Sequence, residues 1–483
     1  MKTIFLTGAT GNMGWAGFQE LLERGNSHLR ILARDSKKNR KKLAPYLHHP
    51  AVTIIWGDLM NYEDVLRGVN GADYVLHVGG MVSPAADYFP EKTLKVNITS
   101  SEYVAKAVLA QPDPSKVKVV YIGSVSQYGD RRRPIHWGAA GDPSFASPFD
   151  MYSVSKCKAE KAIVDSGIPH WVSLRQTAIL YPGILKVVNS TVFHVPLAGL
   201  LEWVTIEDSG RLLANVCEDT VPDSFWNKFY NVSSGPQYRM SNYEFEDRML
   251  RALGLPGPEK IFEPQWFALK NFHGMWYKDA DELESILHFR ANVPIDAYFR
   301  QLKSHLPWYY SLAFLAPAFA VKKFMKRYAF MDETCTQWWV EHDPEKFAAY
   351  YGSREDYDRI KSWDDVRPAP LEKDLAKAQA AGEVLPMDWG WDTSKSIYEL
   401  SEEEVRQAAA FRGGKFIGPA ERLGVPGQIF EWECEHGHQF KASLEFVLMG
   451  GGWCHTCGLD KVISETTPAN EFISQVTAAR PQE

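Results

Sequence analysis

Tyr152 and Lys156 stand four positions apart in the segment YSVSK, and side chains at that spacing share one face of a helix. A phenol with an ordinary pKa of about 10 is a poor proton carrier at neutral pH unless a nearby cation favours the phenolate, and Lys156 supplies that cation. Upstream, VVYIGSVSQYG carries Ser124 and Ser126 to the end of an apolar run. A serine hydroxyl there can hydrogen-bond the same oxygen that the phenol protonates. Together the three groups suit the addition or removal of hydride at a carbinol carbon, chemistry that draws on a nicotinamide cofactor.

A place for that cofactor opens the chain. Residues 7–14, TGATGNMG, follow the strand-like KTIFL and set Gly8, Gly11 and Gly14 at the spacing GxxGxxG. The first two let the backbone turn tightly against a pyrophosphate, the third lets a helix pack close to the sheet, and the helix N-terminus supplies N–H groups. Thr10, Asn12 and Met13 lie in the same loop and are read with the glycines as cofactor contacts. The second strand ends ILARDSKK, with Arg34 where an NAD-preferring fold commonly carries an acid. A guanidinium there can pair with a 2'-phosphate, so NADP is expected, while Asp35 next to it keeps NAD as the lesser reading. Asp58 and Leu59 in WGDL are placed to meet the adenine, and Val78, Gly79 and Gly80 in VLHVGG close the fourth strand, where paired glycines permit close approach. His77 reads equally well as a site residue or as an ordinary strand-end histidine.

These residues need a particular frame. Short β-branched runs (TIFLT, RILAR, TIIWG, YVLHV, VVYIG, WVSLR) alternate with helical patterns, the rhythm of a parallel sheet covered by helices on both faces. The expected fold is α/β: a doubly wound parallel Rossmann sheet at 1–185, a smaller α+β substrate cap at 186–300 that shares chain with it, an apolar and basic helical segment at 301–330, a mostly helical Trp-rich extension at 331–404, and a small zinc-binding module with its tail at 405–483. In the cap, Trp203, Phe225, Trp226, Trp266, Phe272, Trp276 and Tyr277 read first as core and second as walls for a flat apolar substrate.

Composition bounds the rest. The chain has 483 residues, 45% apolar and 23% charged, which favours packed domains over disorder or fibrous repetition. Its formal charge of -7 provides no general field toward nucleic acid, so small molecules or proteins are the expected partners. The start, MKTIFLTGATG, carries no leader pattern, and six cysteines are few for this length, so a cytoplasmic location is expected. Residues 306–321 (LPWYYSLAFLAPAFAV) are apolar but shorter than the roughly 20 residues that span a bilayer. They read as a buried helix or, since Lys322, Lys323, Lys326 and Arg327 follow at once, as an interfacial helix giving peripheral membrane contact through 306–327.

The last cysteines cluster. WECEHGHQF and GGWCHTCG place Cys434, His438, Cys454 and Cys457 as a tetrahedral ligand set with no open position, the composition of a structural zinc site, with His436 and His455 as alternative ligands. The segment from about 405 to 458 resembles small zinc-ribbon or treble-clef domains. With Glu431, Glu433, Glu435 and Glu445 nearby, its expected role is to staple the chain or meet a protein.

TGATGNMG, the GDL around Asp58, Val96 and Asn97, GSVSQYG, YSVSK and LRQTAILYPG together resemble the extended short-chain dehydrogenase/reductase superfamily over about residues 1–260. The resemblance implies catalytic roles for Ser124, Tyr152 and Lys156, with Ser124 preferred over Ser126, Lys156 also holding the nicotinamide ribose, and Asn97 in the cofactor site. It also brings the expectation of a homodimer through two helices. Val125 and Ser126 stand where the family's dehydratases carry Asp and Glu, and Gln176 stands where a proline is frequent. The leading expectation is an NADP(H)-dependent oxidoreductase interconverting carbonyl and alcohol on an apolar steroid-, terpenoid- or polyketide-like substrate. The alternatives are a nucleotide-sugar epimerase or reductase using NAD, and a non-catalytic NADP-binding scaffold or redox sensor.

Overall fold

Apolar runs flanked by helical patterns form β1 (Lys2–Thr7), β2 (Ser27–Ala33), β3 (Val52–Trp56), β4 (Tyr74–His77), β5 (Lys118–Ser124) and β6 (His170–Gln176), buried on both faces except at the edge strand β3, in the computed structural model, which describes residues 1–457 apart from 148, 187, 386 and 387. A seventh strand, β7 (Lys228–Val232), completes a sheet in the order β7-β6-β5-β4-β1-β2-β3, with every pair parallel. The segment KFYNVSS, read from sequence as part of the cap, thus supplies the edge strand of the main sheet, with Lys228 opposite Val172.

Helices cover both faces. On one, α1 (Asn12–Arg24) and a helix reached only after the cap begins, Ile206–Asn215, bury Phe18, Leu21, Leu212 and Leu213 against Ile4, Leu6 and Ile31. On the other, α2 (Pro90–Leu109) and α3 (Met151–Val164) bury Val104, Val108, Ala159 and Ile163 against Phe5, Val75 and Val119.

The expected small C-terminal unit is a three-stranded antiparallel sheet, β8 (Lys415–Gly418), β9 (Ile429–Glu433) and β10 (Gln439–Ser443), preceded by a helix at Glu402–Phe411 whose Ser401 and Glu404 form a reciprocal N-terminal cap. Phe416, Phe430, Trp432, Leu444 and Phe446 share one core with α2 and α3, so the unit is seated on the Rossmann domain. The tail from 458 lies outside the described residues.

The intervening extension packs on the cap. Trp339, Tyr350 and Tyr351 from the helices Thr336–His342 and Pro344–Tyr351 bury Ala268, with Phe149 at the edge of the cluster. The apolar segment at 306–321 is divided: a 3-10 turn runs over Trp308–Leu315, and after Pro317 a separate helix, α4 (Ala318–Phe330), begins. Among the described residues no helix is long and apolar enough to cross a membrane.

Candidate active site and metal cluster

The glycine loop is fixed by backbone contact. Gly8 has φ +71°, and a Cβ on it would lie 2.7 Å from the Gly79 nitrogen; a Cβ on Gly14 would overlap the Gly8 carbonyl. Gly11 precedes α1 without a side-chain cap, so among the described residues the first-turn N–H groups have no capping side chain, the arrangement that suits an anion. A Cβ on Gly79 would meet Leu59 at 2.7 Å, which brings the loops after β1, β3 and β4 together at one edge as the sequence implied. Val78 packs into the adjoining core.

Two sequence candidates turn out to hold this edge from behind. His77 is buried, hydrogen-bonded to the Thr7 hydroxyl at 3.0 Å and to Ser101 at 3.1 Å, and burial pushes its imidazole down to about 3, so it is a neutral brace. Thr7 in turn accepts from the Gly79 N–H. Asn97 is also buried. Its oxygen accepts from the Met81 N–H at 2.7 Å, while its amide donates to the Met81 carbonyl and, at 2.8 Å, to the Ser155 hydroxyl. It therefore ties the Gly79–Gly80 loop to α3.

At the far end of the loop, Arg34 and Asp58 are exposed, and the Asp58 carboxylate accepts from the Met60 N–H. Asp35 is engaged by Arg40 in a two-pronged pair at 2.5 and 2.6 Å, which holds its carboxyl below the usual range. Sequence reasoning missed Lys42, whose ammonium donates to the Thr10 carbonyl at 3.1 Å and sits 4.0 Å over the Trp15 ring. The run of lysines around it hid the one that reaches the glycine loop.

Ser124 ends β5, buried, its N–H donating to Gln127 and its hydroxyl accepting from the Ser126 N–H. Ser126 is buried too, its carbonyl taken by the Ser153 hydroxyl. Burial pushes the Tyr152 phenol up to about 12, a hydrogen bond with Ser124 works against that, and the Asp150 charge adds to it. Lys156 does not point its charge at the phenol. Its ammonium donates to the Ile122 carbonyl and lies 4.5 Å from the Tyr121 ring, and burial lowers it to about 8.

Behind Ser124 stands a network that sequence spacing gave no sign of. Gln127 donates to Glu160 at 2.9 Å, Glu160 takes Arg175 at 2.6 and 3.1 Å and the Ser173 hydroxyl at 2.5 Å, and Arg175 reaches the Gly450 carbonyl at 2.6 Å. Asp150 caps α3 through the Ser153 N–H and uses its other oxygen to meet His273 at 2.9 Å, beneath the stacked ring of Phe272. An acid just ahead of YSVSK was a readable capping signal; its histidine partner, 123 residues away, was not.

In the C-terminal unit, one ligand atom each from Cys434, His438, Cys454 and Cys457 lies within 4.8 Å of the others. Cys434 and Cys457 sulfurs stand 3.6 Å apart, and the His438 Nδ1 is 3.4 Å from Cys457 and 3.8 Å from Cys454. A tetrahedron with metal–sulfur bonds of about 2.3 Å separates its sulfurs by roughly 3.8 Å, so these residues fit a zinc ion. Hydrogen bonding from Cys457 pulls the Cys454 thiol well below its ordinary value. His436 and His455 stay outside the cluster; His455 packs against Phe446, and burial pushes it down to about 3.

Residues 4–170 match the model of the NAD dependent epimerase/dehydratase family. Curated relatives include the UDP-glucose 4-epimerases of Rickettsia conorii, 29% identical over 113 residues (22% of this chain, 33% of that one), and Rickettsia bellii, 30% identical over 111 residues (22% and 32%). The chain spans about a third of the length of these relatives. Among solved structures, the dTDP-glucose 4,6-dehydratase of Streptomyces venezuelae with NAD and TYD bound superposes with TM-score 0.50 at 18% identity, covering 64% of this chain and 97% of that one. The enzyme of the same name from Bacillus anthracis in complex with NAD gives 0.50 at 13%, covering 64% and 96%. At these identities the likeness shows the fold alone, the doubly wound parallel sheet that the strand rhythm implied.

The matches overturn the expectation of an NADP(H)-dependent carbonyl reductase or alcohol dehydrogenase on an apolar substrate, because the family model is that of NAD dependent epimerases and dehydratases and the curated relatives are UDP-glucose 4-epimerases. The cap agrees. Trp203, Phe225, Trp226, Trp266, Trp276 and Tyr277 are all buried; Trp203 stacks on Phe245 at 4.2 Å, Phe225 on Tyr230 at 5.1 Å, and Trp276 meets Trp137 edge-on at 5.4 Å. These rings are core, and of the seven only Phe272 is left partly open.

Proposed function

We propose that the protein is an NAD-dependent epimerase acting on a nucleotide-linked sugar. The observation that carries this reading is the meeting of Ser124 and Tyr152 at the carboxyl edge of β5, with α3 tied through Ser155 and Asn97 to the Gly79–Gly80 loop. NAD+, held over Gly8–Gly14, supplies reversible hydride uptake at the sugar carbinol carbon. Tyr152 takes the hydroxyl proton as the carbon is oxidised and returns it after the ketone has presented its other face. Ser124 donates to the same oxygen throughout, and Lys156, held on the Ile122 carbonyl, favours the phenolate when its ammonium turns toward the Tyr152 oxygen. Val125 and Ser126 are buried and not acidic, so the turn that follows Ser124 offers no acid to expel water, and epimerisation is favoured over dehydration. The Cys434, His438, Cys454 and Cys457 set holds zinc in a structural role.

The experiment incubates the full chain with NAD+ and, separately, UDP-glucose, UDP-galactose and UDP-glucuronate, following sugar configuration by proton NMR. Interconversion of one pair without net NADH supports the reading. Net NADH without a second sugar, or full activity in Tyr152→Phe, overturns it, and inert protein that still binds NAD+ tightly favours a non-catalytic scaffold. Elemental analysis of the protein as purified checks for one zinc per chain, lost in Cys454→Ser.

A further inference from the structure

Helix α4 is amphipathic in an unusual sense. Met325 and Ala329, with Ala318 and Val321 beside them, pack on Phe193, Phe262 and Trp266 of the cap, which fixes the helix in place. Its opposite face and most of the preceding turn are exposed. Of 17 large apolar side chains exposed among the described residues, nine fall within 308–331, led by Trp308 (76% exposed), Phe319 (75%) and Leu315 (65%). Scattered exposed apolar residues need no explanation, but a contiguous group does.

The charge of the same segment is one-sided. Between Asp296 and Asp332 the chain has six Lys or Arg residues and no Asp or Glu, in a protein whose net charge is -7. Lys322 is paired with Glu263 at 2.6 Å, whereas among the described residues no carboxylate lies within ion-pair reach of Lys323, Lys326 or Arg327. Phe319, Lys323, Lys326 and Phe330 recur at intervals of four, three and four, so aromatic rings and ammonium groups form one outward stripe.

We propose that this face docks the protein on an anionic phospholipid bilayer. Trp308, Tyr309, Phe314 and Phe319 sit at the depth where amphipathic rings partition, and Lys323, Lys326 and Arg327 meet the lipid phosphates. Charge complementarity selects this occupant over a second copy of the chain, which would bring two clusters of unpaired cations face to face. The helix is too short to cross, so the contact is interfacial, and it holds the cap and its cleft at the membrane surface.

The test is co-sedimentation of the full chain with vesicles of phosphatidylcholine alone or mixed with phosphatidylglycerol, beside two double variants, Phe314→Ser with Phe319→Ser and Lys323→Glu with Lys326→Glu. Expected is binding to the mixed vesicles that weakens with added salt and falls by about tenfold or more in the charge-reversed variant, from the contribution of each cation near an anionic surface. The serine variant falls similarly, and both keep the wild-type melting profile because the altered side chains are exposed. Three results overturn the proposal: no binding to mixed vesicles at low salt, binding that neither variant weakens, or light scattering that shows a dimer broken by Phe319→Ser in a chain that ignores vesicles.

Discussion

The carboxyl edge of the Rossmann sheet and the Cys/His cluster hold their side chains in opposite ways. At the sheet edge the main positioning groups answer one another: Thr7 meets His77 and Gly79, Asn97 meets Met81 and Ser155, and Glu160 meets Gln127, Ser173 and Arg175. In the cluster three thiols and an imidazole face chiefly one another, at 3.4 to 3.8 Å. A site of the first kind is complete before its ligand arrives; one of the second kind uses ion binding as part of its folding free energy. The two are joined where Arg175 takes the carbonyl of Gly450, four residues before Cys454.

The largest effect is expected from chemistry inside the preorganised site. Tyr152→Phe removes the proton carrier and nothing that the frame relies on, so turnover should fall by about a hundredfold to ten-thousandfold, the usual worth of a positioned acid-base group. Calorimetric titration should give NAD+ affinity within a few-fold of wild type. Lost cofactor binding would mean that Tyr152 is part of the frame, and the comparison would break there.

Metal removal is the reciprocal experiment. Cys454→Ser, or a strong chelator, should remove zinc from the protein and add an early melting transition from the C-terminal unit, detectable by calorimetry. NAD+ affinity should hold if the sheet edge is self-sufficient. A parallel loss of NAD+ binding would show that strain passes from Gly450 through Arg175, Glu160 and Gln127 to Ser124.

A smaller perturbation addresses the frame itself. In Gly79→Ala the new methyl would lie 2.7 Å from Leu59 Cδ1 and 3.1 Å from the Gly8 nitrogen, and the backbone side cannot yield. Overpacking of this kind costs about 1–3 kcal/mol, so NAD+ affinity should drop by about tenfold or more with little change in turnover at saturation. Unchanged affinity would show that the loop adapts and that its close packing is not what binds the cofactor.

The difference between the regions also governs what could be read from sequence. GxxGxxG and the Cys-x3-His and Cys-x2-Cys pairs are local patterns whose members came together in space as their spacing implied, whereas YxxxK set Tyr152 beside Ser124 but left the Lys156 ammonium on the Ile122 carbonyl. The supports were not legible, because they join distant segments: Arg175 and Gly450 are 275 positions apart, and Lys228–Val232 reaches the sheet only by pairing with a strand that ends at Gln176. Arg34 was misleading for a different reason. One cation at a strand end suits a 2'-phosphate or bulk water equally, and nothing in its neighbours along the chain separates the two.

The smallest prediction carries the contrast between satisfied and unsatisfied groups into the cap. Glu160 is buried with three partners, whereas Glu246, in the helix Asn242–Ala252, is buried with no side-chain partner among the described residues, and burial pushes its carboxyl up to about 8. A raised carboxyl binds its proton more tightly folded than unfolded, so its contribution to stability is fully present below the unfolded value of about 4.5 and is lost as pH rises through 8. Glu246→Gln is isosteric with the protonated acid and never ionises. Melting temperatures of the two proteins should therefore coincide near pH 5 and separate progressively toward pH 9, with Glu246→Gln higher by a few degrees. Parallel curves across that range would mean that Glu246 is solvated or paired in solution, and the cap would then hold its charge as the sheet edge does.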